Sequence, residues 1–282
     1  MRALEKVLLP LLTLALLAGC GGDAEEGPGP HDGDAGSPTV YTTFYPTTYF
    51  AERLAGDDAR VVCPLPDGED PIFWKPDEAA IQAYQQADLI VVNGAEFEKW
   101  VPRASLPESR IVNTAEPFRE GWLTYESAVE HSHGPSGKHA HEGVDGHTWV
   151  DPTLAKAQAT QVAAGLLRTL TDGEARMRVQ ERLDGLLADL DALHARFEDV
   201  TKGYGGHAIL ASHPAYNYIA KRYGWRVVSL DLDPEEMPSD EAFAEIRALL
   251  AETSARHILW EGDPLPEIAK RFRDELGLES IW

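Results

Sequence analysis

Cysteine is nearly absent: Cys20 and Cys63 are the only two in 282 residues. They are too few for a disulfide framework and lack the spacing of a structural zinc motif. Positive charge is also scarce, with 25 Lys and Arg against 47 Asp and Glu, a formal net of -22. A chain this acidic repels a phosphate backbone, so nucleic acid is not expected as a partner. No apolar run is long enough to span a bilayer. The longest, from Val7 to Gly19, would make a helix of about 20 Å against a hydrocarbon core of about 30 Å. With 43% hydrophobic and 26% charged residues, the chain is neither wholly disordered nor polytopic. Its length suits about two domains.

The apolar run follows Arg2 and Lys6 and ends at Cys20, the order of a secretory signal. Leu17-Ala18-Gly19-Cys20 resembles the lipobox of bacterial lipoproteins, which implies cleavage before Cys20 and lipid on its sulfur. Residues 21–38 hold six glycines, three prolines and five acids with no Lys or Arg. Such a segment buries no core and reads as a flexible tether. The expected organisation is a signal peptide over 1–19, a tether over 20–38, and a folded region from 39 onward. The product is exported, facing the periplasm or cell exterior, lipid-anchored through Cys20, and monomeric.

From Thr39 the pattern alternates between strand and helix. Val40-Tyr41-Thr42-Thr43-Phe44 precedes a helix opened by Pro46, and Arg60-Val61-Val62-Cys63 is a second strand. Pro76 opens a helix through Ala87, and Leu89–Val92 and Arg110–Val112 are further strands. Asp151-Pro152 has the form of an N-cap followed by proline at N1. Thr171 to Glu174 has the form of a capping box opening a long helix. Its stripe runs through Leu183, Leu186, Leu187, Leu190, Leu193, Phe197 and Val200. The rhythm then resumes: strand 207–210, helix 214–223, strand 226–230, helix 240–252, strand 257–260 and helix 264–276. The chain ends on Ser280-Ile281-Trp282, which reads as the opening of one more strand. The fold expected is α/β, two parallel-sheet lobes joined by a long rigid helix. The lobes span 39–172 and 203–282, with the connecting helix over 173–202.

Five of the ten histidines fall within seventeen residues: His131, His133, His139, His141 and His147. The first four sit among Gly, Ser, Pro and Lys and predict an irregular loop over 131–141 that captures transition-metal ions loosely. His147 differs, because Thr148-Trp149-Val150-Asp151-Pro152 begins apolar packing beside it. His213 follows the strand 207–210, and Glu261 follows the strand 257–260. In open parallel sheets the ligand crevice lies beyond the carboxyl ends of the strands. His213 and Glu261 are therefore expected to face one crevice, with His147 and His213 as ligands.

Nearly every element in order resembles the ZnuA/TroA-type substrate-binding proteins of metal ABC importers. The matching stretches are Thr42-Thr43-Phe44-Tyr45-Pro46, Ala87 to Gly94 with Glu96, Glu98 and Trp100, His147-Thr148-Trp149-Val150-Asp151-Pro152, and Ser212 to Tyr218 running on to Arg222-Tyr223-Gly224. The resemblance implies a metal site between the lobes, one ion delivered to a membrane permease, and no catalysis. Histidine at 213 and the His-rich loop resemble the zinc-type members, so Zn2+ is the expected cargo, with Mn2+ or another divalent metal as alternatives.

Two departures stand out. Family members usually carry a ligand histidine after the second strand, in Asp-Pro-His-x-Tyr-Glu-Pro. Here the stretch is Asp70-Pro71-Ile72-Phe73-Trp74-Lys75-Pro76, so Ile72 replaces that ligand and Lys75, if turned inward, opposes a cation. Asp70, Glu69 or the Cys63 thiolate then completes the shell with Glu261, or the His-rich loop does, or the site is weak. Asp70 is the first candidate. The family's last ligand, an aspartate, would fall just beyond Trp282; either the chain is truncated or that ligand is absent. Phe73 and Trp74 are expected in a core at the lobe interface.

Two other functions compete. The cleft would hold a chelated metal or small organic ligand if Trp74 stacked on it. A metallohydrolase would need an open metal position and a placed base. However, His141-Glu142 fails to complete His-Glu-x-x-His because residue 145 is Asp145.

Overall fold

The computed structural model describes residues 36–125, 129–132, 138–141, 143–230 and 232–282. The expected signal and most of the tether, with Cys20, lie outside the described residues, as does His133. Among the described residues, no helix is long and apolar enough to cross a membrane.

The first lobe begins with β1 (Thr39–Thr42), α1 (Tyr45–Ala55), β2 (Arg60–Val62), α2 (Glu78–Gln86), β3 (Leu89–Val92) and β4 (Ile111–Asn113). Its four strands are all parallel, in the order β2-β1-β3-β4. All four residues of β3 are buried, and they serve opposite faces of the sheet. Leu89 and Val91 join one apolar cluster, with Phe50 and Leu54 of α1. Ile90 and Val92 join another, with Tyr84 of α2, Trp74 and Trp100. Period-two alternation with both sides apolar is what a covered parallel strand requires.

Two helices follow a two-stranded ribbon. β5 (Val129–Ser132) pairs antiparallel with β6 (Lys138–His141), placing His131 opposite His139 in register. This corrects the expectation of irregular structure at 131–132 and 138–141, the described part of that segment. The signal was present but weak: Val-Glu-His-Ser and Lys-His-Ala-His each alternate, and the Gly-Pro-Ser-Gly between them is turn chemistry. α3 (Pro152–Thr169) starts as expected, with the Asp151 side chain accepting from the Thr153 N–H. α4 (Gly173–Gly203) is 31 residues long, a rod of about 46 Å. Its cap is Asp172, which accepts from the Ala175 N–H at 2.9 Å, rather than a box built on Thr171. Aspartate one residue closer to the helix takes the orphan donor instead.

α4 serves both lobes with different residues. Its first half buries Ala175, Val179, Leu183 and Leu186 in the first lobe's core, with Val162 and Leu166 of α3. Arg178 and Arg182 reach Asp58, and Arg182 also caps the carbonyls of Leu54 and Ala55 at the end of α1. In its second half the predicted stripe holds at Phe197, which packs against Tyr223 and Trp225, whereas Leu193 and Val200 are exposed. The other contacts come from outside the stripe: His194 is bonded to the Tyr223 hydroxyl at 2.8 Å, and Thr201 accepts from the Trp225 indole.

Asp58 gives a test of this anchor. Hydrogen bonds from Arg178, and then from Arg182, outweigh burial and hold its carboxyl below the ordinary value of 3.8. A lowered folded pKa means the contribution is complete above that value and lost as pH falls through the folded one. Asp58→Asn is expected to lower Tm at pH 7 by about 2–4 °C. The gap from the parent should close as the pH is taken below 3.8. Thermal scans across pH check both.

The second lobe consists of β7 (Ile209–Ala211), α5 (Asn217–Tyr223), β8 (Val227–Ser229), α6 (Asp240–Thr253), β9 (His257–Leu259), α7 (Pro266–Arg271) and β10 (Glu279–Ile281). It is again all parallel, ordered β10-β9-β7-β8. Leu210 and Ile258 pack with Phe243, Ile246, Ile268 and Phe272 of the covering helices. α2, α5 and α7 begin two or three residues later than proline alone suggests. α2 waits for the Asp77 cap, and α5 starts after the His213 to Tyr216 bend rather than at Pro214. The last predicted helix is α7 followed by a wider π-type turn, Phe272–Leu276.

Candidate metal centre

β7 and β9 are neighbours, with Ala211 level with Leu259. The chain leaves both at the same end of the sheet. The Ser212 N–H donates to the Leu259 carbonyl, and the Ser212 hydroxyl accepts from the Glu261 N–H. His213 and Glu261 therefore emerge side by side, Nδ1 to Oε2 at 3.4 Å. Across from them the first lobe offers His147, whose ring centroid lies 5.3 Å from that of His213. A cavity of about 500 Å³ is lined by these three residues and by Glu69, Asp70 and Ile72. Phe44, Phe97 and Trp149 supply its aromatic wall.

His147 is 5% exposed and held on every side. Phe97 and Trp149 pack on its ring. Its Nδ1 lies 2.8 Å from Asp145 Oδ1 and 3.1 Å from the Tyr125 hydroxyl. Donation from Nδ1 to the carboxylate puts the neutral ring's lone pair on Nε2, the tautomer a metal ligand needs. The preceding Gly146 permits close packing, since a Cβ there would stand 2.8 Å from the Phe97 ring. Its carbonyl accepts from the Asn93 side chain at 2.9 Å, and the Asn93 N–H in turn donates to Glu98, a fully buried carboxyl.

Asp145 is the hub that sequence reasoning missed. Besides His147 it accepts from the Tyr125 hydroxyl at 3.0 Å and from the Asn217 amide at 2.9 Å, and its carbonyl accepts from the Tyr218 hydroxyl. Burial raises its pKa, but the hydrogen bonds from His147 and Asn217 outweigh this and hold the group below the ordinary value. Asn217 and Tyr218 belong to α5, so one carboxylate both orients His147 and ties the two lobes together.

The carboxylates at the cavity repel one another. Burial, and then the negative charges of Asp233 and Asp70, push the Glu261 carboxyl up to about 7. Crowded acid next to two imidazoles is an arrangement that a divalent cation relieves. Among the described residues, no three His, Cys, Asp or Glu side chains converge closely enough to enclose an ion as they stand. Asp70 borders the cavity while its Oδ1 accepts from the Ile72 N–H at 2.8 Å.

Three expectations are corrected at this site. Lys75 is exposed and lines a different cavity. Trp74 belongs to the first lobe's own core, edge-on to Trp100 at 5.8 Å; it neither fills the lobe interface nor borders the cleft as a stacking platform would. Cys63 is absent from the cavity wall. Ile72 does border it, packed with Phe44 and Phe97, so the position that family members usually give to a ligand is apolar here.

The profile of the family described as zinc-uptake complex component A, periplasmic (ZnuA), matches residues 40–281. The high-affinity zinc uptake system protein ZnuA of Bacillus subtilis is 27% identical over 274 residues, covering 94% of this chain and 83% of that protein. The zinc-binding lipoprotein AdcA of Streptococcus pneumoniae is 26% identical over 250 residues, covering 87% of this chain and 49% of AdcA. The chain thus spans about half of that relative. The fold matches the metal-dependent lipoprotein YcdH of Bacillus subtilis with a TM-score of 0.71 at 24% identity, covering 87% of this chain and 86% of that one. It matches the Zn(II)-bound ZnuA-like domain of Streptococcus pneumoniae AdcA with a TM-score of 0.72 at 22% identity, covering 87% and 86% of the two chains.

Proposed function

The chain belongs to the periplasmic zinc-uptake component A family, and from that premise we propose that it captures zinc outside the cytoplasm and delivers it to a membrane ABC permease. The observation that carries this reading is the pair of buried imidazoles, His147 and His213, facing each other across one cavity with Glu261 beside them. Imidazole nitrogen and carboxylate oxygen suit zinc, which takes four ligands readily. We assign His147, His213 and Glu261 as ligands and Asp70 as the group that closes the shell in place of the residue lost at Ile72. Rotation about the side-chain bonds of Asp70 and Glu261 brings in the carboxylates. The imidazoles are already placed, and the continuous α4 resists a wide hinge motion. Manganese and other divalent ions compete for the same donors. Lipid on Cys20 would keep the receptor, as a monomer, near its permease.

Calorimetric titration of the metal-free protein with zinc is expected to show one tight site per chain. Mass spectrometry under native and then denaturing conditions should find a bare ion. A retained organic molecule, or no tight site, would refute the assignment.

His131, His133, His139 and His141 are proposed as an auxiliary capture device. Deleting 131–141 should leave the tight site intact and remove a set of weaker zinc-binding events from the same titration. Loss of the tight site would instead place these histidines in the primary shell.

A further inference from the structure

A second cavity, of about 740 Å³, lies in the first lobe between α2, the turn Val101–Arg103 and the segment 73–76. It has the size of a pocket for a small organic molecule. Phe73, Trp74 and Trp100 give it an aromatic wall, and Lys75, Lys99 and Arg103 stand around it as its cations. All three cations are exposed. Among the described residues, no ion pair or side-chain hydrogen bond engages them. Among the described residues no acid lines the cavity, although acids outnumber bases 47 to 25 in the chain. Three like charges around an apolar hollow give it a positive field that favours an anion.

A second observation is independent of that charge. Trp100 is 6% exposed, and its indole N–H is buried without an acceptor. A buried donor left unpaired costs about 1–3 kcal/mol, and this ring lines the same cavity. Aromatic walls, surrounding cations and an unused donor together describe a receptor for an amphipathic anion.

We propose that this cavity binds a small organic anion, an aromatic or apolar body bearing a carboxylate or sulfonate, at a site separate from the metal cleft. The aromatic side chains take the body, and Lys75, Lys99 and Arg103 take the charge. The segment 70–76 is the wall between the two sites: Asp70 and Ile72 border the cleft, and Phe73 to Pro76 border this cavity. The Lys99 N–H donates to the Ile72 carbonyl, fixing that wall.

The test is fluorescence titration of the full chain with 8-anilinonaphthalene-1-sulfonate, alongside the neutral N-phenyl-1-naphthylamine. The expected result is one saturable sulfonate site, with the neutral probe at least tenfold weaker. Lys99→Glu with Arg103→Glu should weaken the sulfonate at least tenfold. His147→Ala with His213→Ala should leave it unchanged, so this proposal and the zinc assignment fail separately. If the charge-reversed protein unfolds early, Lys99→Gln with Arg103→Gln should still weaken binding several-fold. Absence of saturation, equal binding of the neutral probe, or indifference to both cation pairs would overturn the proposal.

Discussion

Alanine at both His147 and His213 is expected to abolish tight zinc binding, and alanine at either alone to weaken it by about 100-fold or more. The magnitude follows from four-ligand zinc sites, which bind with about 10–16 kcal/mol at neutral pH, or roughly 3 kcal/mol for each donor. The single variants should differ in stability. His147 bonds to Asp145 through both its ring and its N–H. Its removal strips a buried carboxylate of a strong partner, at a cost of about 1–3 kcal/mol. His213 lies 3.4 Å from Glu261, which is 27% exposed and can turn to water, so removing this ring strands no fully buried charge. His213→Ala should therefore keep a Tm near that of the parent while losing affinity, which makes it the cleaner probe. Calorimetry with zinc, beside thermal unfolding without metal, separates the two effects. Tight binding that survives the double substitution would end the assignment of this cleft as the metal site.

Much of this arrangement was legible beforehand. Strand-end geometry alone placed His213 and Glu261 together, because the carboxyl ends of adjacent parallel strands share one crevice. The Asp151-Pro152 start was equally plain, since cap and proline act within one turn. The contact face of α4 was harder to read. Leucines and acids recur so evenly along it that several faces look apolar; of the contacts in its second half Phe197 lies on the predicted stripe, but His194 and Thr201 lie off it, while Leu193 and Val200 are exposed. Asp145 was invisible for a different reason. A single aspartate before a histidine has no period, and its partners Tyr125, Asn217 and Tyr218 lie 20, 72 and 73 residues away. Only the closed fold shows that one carboxylate gathers them.

That position carries the other large expected effect. Asp145→Asn preserves shape and still offers an oxygen to the His147 ring, but removes the charge that fixes the ring's tautomer and orientation. Carboxylates in this supporting role are typically worth about 10–100-fold in metal affinity, and a loss in that range is expected by calorimetry. Asp145→Ala goes further: it leaves Tyr125, His147 and Asn217 without their shared acceptor between the lobes. A buried donor that loses its acceptor costs about 1–3 kcal/mol before relaxation, and Tyr125 keeps the Pro214 carbonyl in reach, so this variant should unfold a few degrees early as well as bind weakly. A purely structural role would make the asparagine variant bind normally once folded. The orienting role requires it to bind weakly while melting near the parent, with the His147 ring resonances in NMR reporting a changed tautomer balance in the metal-free protein. Normal affinity with unchanged ring resonances in Asp145→Asn would reduce this carboxylate to a tie between the lobes.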